Sequence, residues 1–200
     1  MMIEIKKIFV LYLFVILFFT SCLKEETMPM PKPFGYMRIA LPEKEYKWLD
    51  TVYPFKFSYP AYAILTPYHG KSNEENAKYW FNITIPRFNA YIYFTYKEIQ
   101  NNLFDLKEDS RTFVVKHISK SSNIENILIN KPEKKVYGVI YEIEGNDVAS
   151  PLQFFLTDST KHYLRGALYF NNIPNNDSLK PIIDFLKIDI DTLINTFSWK

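Results

Sequence analysis

The stretch that decides the fold is F-N-I-T-I-P-R-F-N-A-Y-I-Y-F-T-Y, residues 81–96. Apolar and polar residues alternate in it on both sides of a connection at residues 86–90. The apolar positions are Phe81, Ile83 and Ile85 before the connection, and Ile92, Phe94 and Tyr96 after it. Successive side chains of a strand point to opposite faces of a sheet. The stretch therefore predicts a β-hairpin with one buried face.

Further strands are predicted on both sides of this hairpin. Upstream, Phe55–Tyr59 alternates and ends at Pro60, and we expect this strand to continue over residues 61–68 after a bend. Pro42–Lys47 is predicted to be a surface turn, and residues 70–78 a loop or one helical turn. Downstream, four apolar segments are separated by turns at 131–134, 145–147 and 158–161. They cover residues 127–129, 137–143, 152–156 and 164–170, and they predict an antiparallel meander.

Two amphipathic helices complete the pattern. Residues 99–117 carry apolar or small residues at spacings of three and four, with His117 on the apolar stripe as a core or boundary histidine. The last helix has Ser178 as its predicted N-cap and Pro181 in its first turn. Its apolar stripe consists of Leu179, Ile182, Leu186, Ile190, Leu193 and Phe197.

This order of elements predicts the α+β class, with a single antiparallel β-sheet and helices packed against it in one domain. By analogy, the arrangement resembles the layered α/β/α architecture of Mog1/PsbP-type domains. Fold-level analogy of this kind does not specify an activity.

The N-terminus resembles a lipoprotein signal peptide. Lys6 and Lys7 precede an apolar run, Ile8–Phe19, which is shorter than the roughly 20 residues that span a bilayer. The run ends in Phe19-Thr20-Ser21-Cys22, which resembles a bacterial lipobox with phenylalanine in place of the usual leucine. We predict that residues 1–21 are removed and that Cys22, the only cysteine of the chain, is acylated and holds the protein on a membrane. An uncleaved N-terminal anchor is the alternative.

Residues 22–33 read as an acylated cysteine followed by a proline-rich tether, and residues 34–200 as the globular domain. Within the tether, Lys24-Glu25-Glu26 resembles the tag that directs some lipoproteins of the Bacteroidota to the cell surface. An ordinary solvated linker is the other interpretation. We therefore expect an outer-membrane lipoprotein, on either the periplasmic face or the cell surface.

Composition and motifs argue against several functions. With a formal net charge of only +2, the chain lacks the concentrated basic face that nucleic acid binding requires. The sequence has no phosphate-binding glycine loop, nucleophile elbow or zinc-protease motif, and His69, His117 and His162 are isolated. Asp184, Asp189 and Asp191 are interpreted as a solvated helix face. We expect no enzymatic activity, cofactor, metal or small-molecule substrate.

Two blocks of sequence carry a more specific resemblance. The first is P-K-P-F-G-Y-M-R-I at residues 31–39, continuing to L-P-E-K-E-Y at 41–46, and the second is Y-W-F-N-I-T-I-P-R-F-N-A at 79–90. Together with the signal and the closing helix, they are similar to the gliding motility lipoprotein GldD family over essentially the whole chain. The resemblance implies a non-enzymatic accessory lipoprotein of the Bacteroidota gliding and type IX secretion machinery, with other proteins of that machinery as partners.

Candidate interaction residues follow from the residue types that dominate protein interfaces, Tyr, Trp and Arg. We select Tyr36, Arg38, Trp80 and Arg87, each of which has an ordinary place in the core or rim of the sheet as its alternative. A second hypothesis is a glycan- or peptidoglycan-binding module, suggested by the tyrosines and asparagines around residues 91–96. A small hydrolase is the third, and it requires a polar cluster in one concave pocket.

Overall fold

In the computed structural model, which describes residues 39–68, 70 and 75–200, the strands and helices alternate much as the sequence predicts. The strands of this part of the chain are β1 (Tyr46–Leu49), β2 (Phe55–Pro60), β3 (Ile64–Pro67), β4 (Phe81–Ile85), β5 (Ala90–Glu98), β6 (Asn123–Lys131), β7 (Val136–Glu144), β8 (Leu152–Thr157), β9 (His162–Phe170) and β10 (Ser198–Trp199). The α-helices of the same described residues are α1 (Leu103–Val115) and α2 (Asn176–Thr196). Neither helix is long and apolar enough to cross a membrane.

The predicted hairpin forms the β4–β5 pair of a seven-stranded antiparallel sheet. Its register places Phe81 opposite Phe94 and Ile83 opposite Ile92, so the apolar side chains share one face. The connection is a short 3-10 turn, Pro86–Phe88, which Asn89 closes in the left-handed conformation with φ of 50°. Asparagine tolerates this conformation better than most residues. The hairpin is therefore confirmed, and its second strand is longer than predicted, from Ala90 to Glu98.

The sheet has the order β3-β4-β5-β9-β8-β7-β6. The four predicted downstream strands form the meander β6–β9, and the hairpin joins it because β5 pairs antiparallel with β9 along its whole length. At the turn between β8 and β9, the Asp158 carboxylate accepts hydrogen bonds from the backbone N–H groups of residues 160, 161 and 162. The meander prediction is confirmed.

A second sheet, which the sequence analysis does not predict, has the order β1-β2-β10. It contains the predicted strand β2, with Leu49 opposite Phe57 on one side and Trp199 opposite Phe55 on the other. The surface turn expected over Pro42–Lys47 is shorter than predicted, because β1 already begins at Tyr46. β1 and β10 have four and two residues, too few to show a clear alternation.

The main core lies between the small sheet, α2 and one face of the large sheet, which we call the inner face. Aromatic rings fill its centre: Phe81 and Phe94 stack with centroids 4.5 Å apart, and Phe57 lies 5.9 Å from Phe94 and 6.2 Å from Phe197. Each ring fully removed from water contributes about 1.5–3 kcal/mol. The stripe of α2 predicted from the sequence packs here, and Leu186, Ile190 and Leu193 are almost completely buried.

The two helices differ from their predicted limits at the ends. α1 has 13 residues, because the N–H of Ile99 bonds to the Lys161 carbonyl and Asn101 takes a left-handed φ of 58°. The sequence pattern of residues 99–117 overestimates its length. α2 begins at Asn176 with Asn175 as its N-cap, whose side chain accepts a hydrogen bond from the N–H of Ser178. The prediction of Ser178 as the cap is wrong.

The large sheet thus has α1 on its outer face, and α2 with the small sheet on its inner face. The predicted α+β class, with an antiparallel sheet and flanking helices, is confirmed, and the small sheet is an addition to it.

Candidate functional site

The outer face of the large sheet is only partly covered by α1. Leu106 of α1 packs with Phe155 and Tyr163, and Val114 packs with Ile143. The Ser110 hydroxyl lies 2.6 Å from the Tyr163 hydroxyl, which also donates to the Leu106 carbonyl at 3.0 Å. These contacts fix α1 over β7, β8 and the first half of β9. The rest of the face, on β4, β5 and the second half of β9, lies outside them.

Three tyrosines on this part of the face form a group that we call the tyrosine cluster: Tyr91, Tyr93 and Tyr169. The rings of Tyr91 and Tyr93 are stacked, with centroids 5.9 Å apart and planes 11° from parallel. Tyr169 stands edge-on to Tyr93 at 5.6 Å. Tyr93 is 41% exposed, whereas the other two are half-buried. Burial raises the pKa of Tyr93, with smaller contributions from its two tyrosine neighbours. The cluster therefore presents neutral, preordered rings with polar hydroxyls.

A groove of about 430 Å³ lies between α1 and the outer side of β5, the side that carries the tyrosine cluster. Its walls combine aromatic, cationic and hydroxyl side chains, among them Trp80, Thr95, Lys97, Phe113 and Arg165. The sheet supplies Thr95 and Arg165 as direct cross-strand neighbours. Concave sites of this size with a few polar groups are typical places for ligands or for side chains of a partner.

Arg165 is the main charged group at the base of this groove. Its Nη2 donates to Gln153 Oε1 at 2.6 Å, and its guanidinium lies 4.3 Å from the centre of the Phe113 ring. Burial lowers the pKa of Arg165. Among the residues that the structure describes, no carboxylate forms an ion pair with it. The buried Nε of Arg165 and Nε2 of Gln153 also have no hydrogen-bond partner there. A half-buried cation satisfied mainly by neutral groups gives the groove a positive base.

The structure separates the two predicted interaction residues that it describes. Trp80 immediately precedes β4, is half-buried, and donates from its indole N–H to the Tyr96 carbonyl at 2.8 Å. Arg87 is exposed in the turn after β4. At about 3.3 Å per residue, the strand between them holds the two side chains roughly 20 Å apart. Trp80 belongs to the groove, and Arg87 lies at the tyrosine end of the hairpin. Tyr36, Arg38 and Cys22 lie outside the described residues.

A buried polar cluster around Asp189 was not predicted. Asp189 is 2% exposed, so its assignment to a solvated helix face is wrong. Its carboxylate accepts hydrogen bonds from Lys44 Nζ at 2.6 Å, from the Tyr46 hydroxyl at 2.9 Å and from the Tyr62 hydroxyl. Lys44 also donates to the Phe185 carbonyl at 2.7 Å. The cluster therefore ties the segment before β1 to the middle of α2.

A sequence signal for this cluster did exist. Asp189 follows Phe185 and Leu186 at spacings of four and three, which places it on the apolar stripe of α2 rather than opposite to it. Lys44 and Tyr46 belong to the L-P-E-K-E-Y block of the family resemblance. The role of that block in the fold is thus the attachment of the N-terminal segment to α2.

The histidines of the described part lie in separate environments. His162 Nδ1 is 2.7 Å from the Tyr96 hydroxyl, and its ring stacks on Trp199. His117 is half-buried just after α1. Burial lowers the pKa of both histidines. Lys120 and Arg165 lower the pKa of His117 further, whereas Asp158 and Glu98 partly offset the lowering at His162. His69 lies outside the described residues. Within the described ranges, no group of three or more His, Cys, Asp or Glu side chains is arranged to hold a metal ion.

Comparison with known proteins gives one informative match. A search of curated proteins found no match. Among solved structures, the chain is similar to the solution structure of cyanobacterial PsbP (CyanoP) from Synechocystis sp. PCC 6803, with 17% sequence identity over 84% of this chain and 100% of that chain and a TM-score of 0.47. The family model for the gliding motility lipoprotein GldD matches residues 26–199, which confirms the resemblance seen in the sequence. The chain therefore belongs to the GldD family of gliding motility lipoproteins.

Proposed function

We propose that this protein is a lipid-anchored envelope accessory protein, required for assembly or function of the gliding motility and type IX secretion machinery. It acts through contacts with other proteins of that machinery and not as an enzyme. Membership of a family of gliding motility lipoproteins supports this proposal.

In this proposal, residues 1–21 are the signal peptide, Cys22 carries the acyl chains, and residues 22–33 tether the domain. Each buried CH₂ of an acyl chain contributes about 0.8 kcal/mol, so two or three chains hold a protein firmly. Replacement Cys22→Ser should move the protein from the membrane fraction to the soluble fraction and abolish incorporation of labelled palmitate. Retention of the variant in the membrane fraction would favour an uncleaved N-terminal anchor.

The observation that carries the protein-contact proposal is the part of the outer face that no other described element covers. It joins the tyrosine cluster to a groove with an arginine base, and Tyr, Trp and Arg are the residue types that dominate interface hot spots. The rings are already ordered by contacts with each other, so little conformational entropy is lost when a partner covers them.

Affinity purification from detergent-solubilised envelopes tests this proposal. The native chain should recover gliding or type IX secretion components, and the double variant Tyr91→Ser/Tyr93→Ser should recover them poorly. Ile188→Ser is a matched control, since Ile188 is 54% exposed on α2, which packs on the inner face. Recovery of no such component by the native chain, or equal recovery by the tyrosine variant, would count against the proposal.

A second candidate is a glycan- or peptidoglycan-binding lipoprotein, which the geometry of the tyrosine cluster specifically favours. Two near-parallel tyrosine rings offer apolar surface for a sugar ring, and Asn82 lies opposite Tyr93 in the neighbouring strand with an amide for sugar hydroxyls. Sedimentation with purified sacculi separates the two candidates, because retention there requires no protein partner. Retention that is lost in Tyr91→Ser/Tyr93→Ser would support the glycan-binding function.

The proposed location is the outer membrane. Protease treatment of intact cells distinguishes its two faces: a domain on the cell surface is degraded, and a periplasmic domain survives until the outer membrane is opened.

A further inference from the structure

The strand β6 forms one edge of the large sheet, and its free side differs from the other edges. Among the described residues, β6 pairs with β7 alone. β6 has nine residues, contains neither proline nor glycine, and keeps an uninterrupted register with β7. The opposite edge, β3, has only four residues and ends in Pro67. Proteins usually protect exposed edges by shortness, proline, bulges or charge. β6 lacks the first three.

The side chains of β6 are also unusually apolar for an exposed edge. Leu128 is 79% exposed on the outer face. The residues on either side of it, Ile127 and Ile129, point to the inner face and pack against the main core. The only charged residues are Glu125, near one end, and Lys131, at the other. An edge with unpaired backbone groups and exposed apolar side chains is a template for another strand.

We propose that the occupant of this edge is a second copy of this chain, whose β6 pairs antiparallel with β6 across a two-fold axis at Leu128. The sequence of β6 is self-complementary in this register. Leu128 lies opposite Leu128, and the other pairs are Ile127 with Ile129, Asn126 with Asn130, and Glu125 with Lys131. Opposite charges facing each other across a strand pair are favourable, as are apolar pairs.

Neighbouring registers lose this complementarity. If the two large sheets join into one continuous sheet with both outer faces on the same side, each residue must lie opposite a residue of the same face. Because side chains alternate between faces, the two-fold axis can then pass only through a residue of β6 and not between two residues. An axis at Ile127 places the Glu125 carboxylate opposite Ile129. An axis at Ile129 places the Lys131 ammonium opposite Ile127. The pattern of β6 therefore selects the register centred on Leu128.

Lys131 is available for this pairing although it already has contacts within its own chain. Its Nζ donates to the Ile194 carbonyl at 3.0 Å and to Asn195 Oδ1 at 2.7 Å, at the C-terminal end of α2. An ammonium group has three donors, so one remains for a carboxylate of the second copy. Glu125 lies exposed at the other end of the same face.

A disulfide test distinguishes this register. Residues directly opposite in an antiparallel pair have Cα atoms about 4.5–5.5 Å apart, within the range of about 4.4–6.8 Å that disulfides bridge. In the full-length chain, expressed in its own envelope, Leu128→Cys should give a disulfide-linked dimer after mild oxidation. Asn126→Cys is the matched control. The two copies of residue 126 lie roughly 13 Å apart along the strand in this register, so this variant should cross-link only when it is co-expressed with Asn130→Cys. The native chain, whose single cysteine is Cys22, gives the background.

A folded Leu128→Cys chain that gives no dimer above this background would overturn the proposal. Equal cross-linking by Asn126→Cys alone would also overturn it, because it would indicate random collision.

A second measurement does not depend on cysteine chemistry. Light scattering of the full-length protein in detergent should give the mass of two chains for the native protein and of one for Leu128→Asp. Val52→Asp, at a residue that is 83% exposed outside the large sheet, should remain dimeric. A native protein that is monomeric at concentrations up to about 100 μM, or a Leu128→Asp protein that remains dimeric, would refute the pairing through β6.

Discussion

Replacement of Asp189 by alanine should destabilise the fold strongly. The carboxylate is 2% exposed and accepts hydrogen bonds from Lys44 and from two tyrosine hydroxyls. Its removal leaves a lysine ammonium, whose side chain is only 25% exposed, without its counter-charge. Removal of one partner from a buried ion pair costs about 3–5 kcal/mol. For a domain of this size, 1 kcal/mol shifts the melting temperature by about 2–4 °C, so we expect a decrease on the order of 10 °C.

Urea unfolding followed by tyrosine and tryptophan fluorescence measures this change. Asp184→Ala is a matched control on the same helix, because Asp184 forms an exposed i,i+4 pair with Lys180. Such pairs contribute about 0.3–0.5 kcal/mol. Asp189→Asn should lie between the two, since its amide oxygen still accepts a hydrogen bond but carries no charge. A free energy of unfolding for Asp189→Ala within about 0.5 kcal/mol of that for Asp184→Ala would refute the assignment of the Asp189 cluster as the attachment of the N-terminal segment.

Three further predictions concern the core and its ionisable groups. Gly138→Ala should destabilise the protein by about 1–3 kcal/mol or more in urea unfolding, because a Cβ there would lie 1.9 Å from the Phe155 carbonyl oxygen. Gly70→Ala should destabilise it less, because the obstacle there is the flexible Tyr68 side chain. Burial raises the pKa of Tyr62, Tyr96 and Tyr163, so the stability that they contribute is complete below about pH 10 and is lost as the pH rises above it. The urea midpoint should therefore fall between pH 8 and 10.5. Absorbance at 295 nm should show the phenolates of these three tyrosines only on unfolding. Burial lowers the pKa of His162, so the contribution of this histidine to stability is present above about pH 6.5 and decreases below it. The urea midpoint should fall between pH 7 and 5.5, and it should fall less in His162→Gln than in the native chain.

Local alternation made the strands of the large sheet predictable, whereas their pairing across the chain was not. Phe81, Ile83 and Ile85 are buried in the order that the sequence indicates. Nothing in the local pattern shows that β5 pairs with β9, because this contact joins residues that are about 70 positions apart in the chain. The small sheet was missed for a similar reason, since β10 has two residues and pairs with a strand at the other end of the domain.

The candidate site was predicted in part. Of the tyrosines at residues 91–96 that the sequence suggests for glycan binding, Tyr91 and Tyr93 lie on the outer face, whereas Tyr96 is buried in the main core. Tyr169 and Arg165 were not singled out, because they become neighbours of these tyrosines only through the pairing of β9 with β5. Arg87 and Trp80 are close in sequence but lie at opposite ends of β4, because an extended strand separates its flanking residues.

Photo-cross-linking from the outer face tests the central claim, that a membrane-held domain contacts the gliding and secretion machinery through this face. A photoreactive phenylalanine analogue at position 93 of the full-length protein should give adducts with components of that machinery in living cells. The same analogue at position 188, on α2, should give few or none. Absence of such adducts at position 93, or an identical set at both positions, would contradict the account.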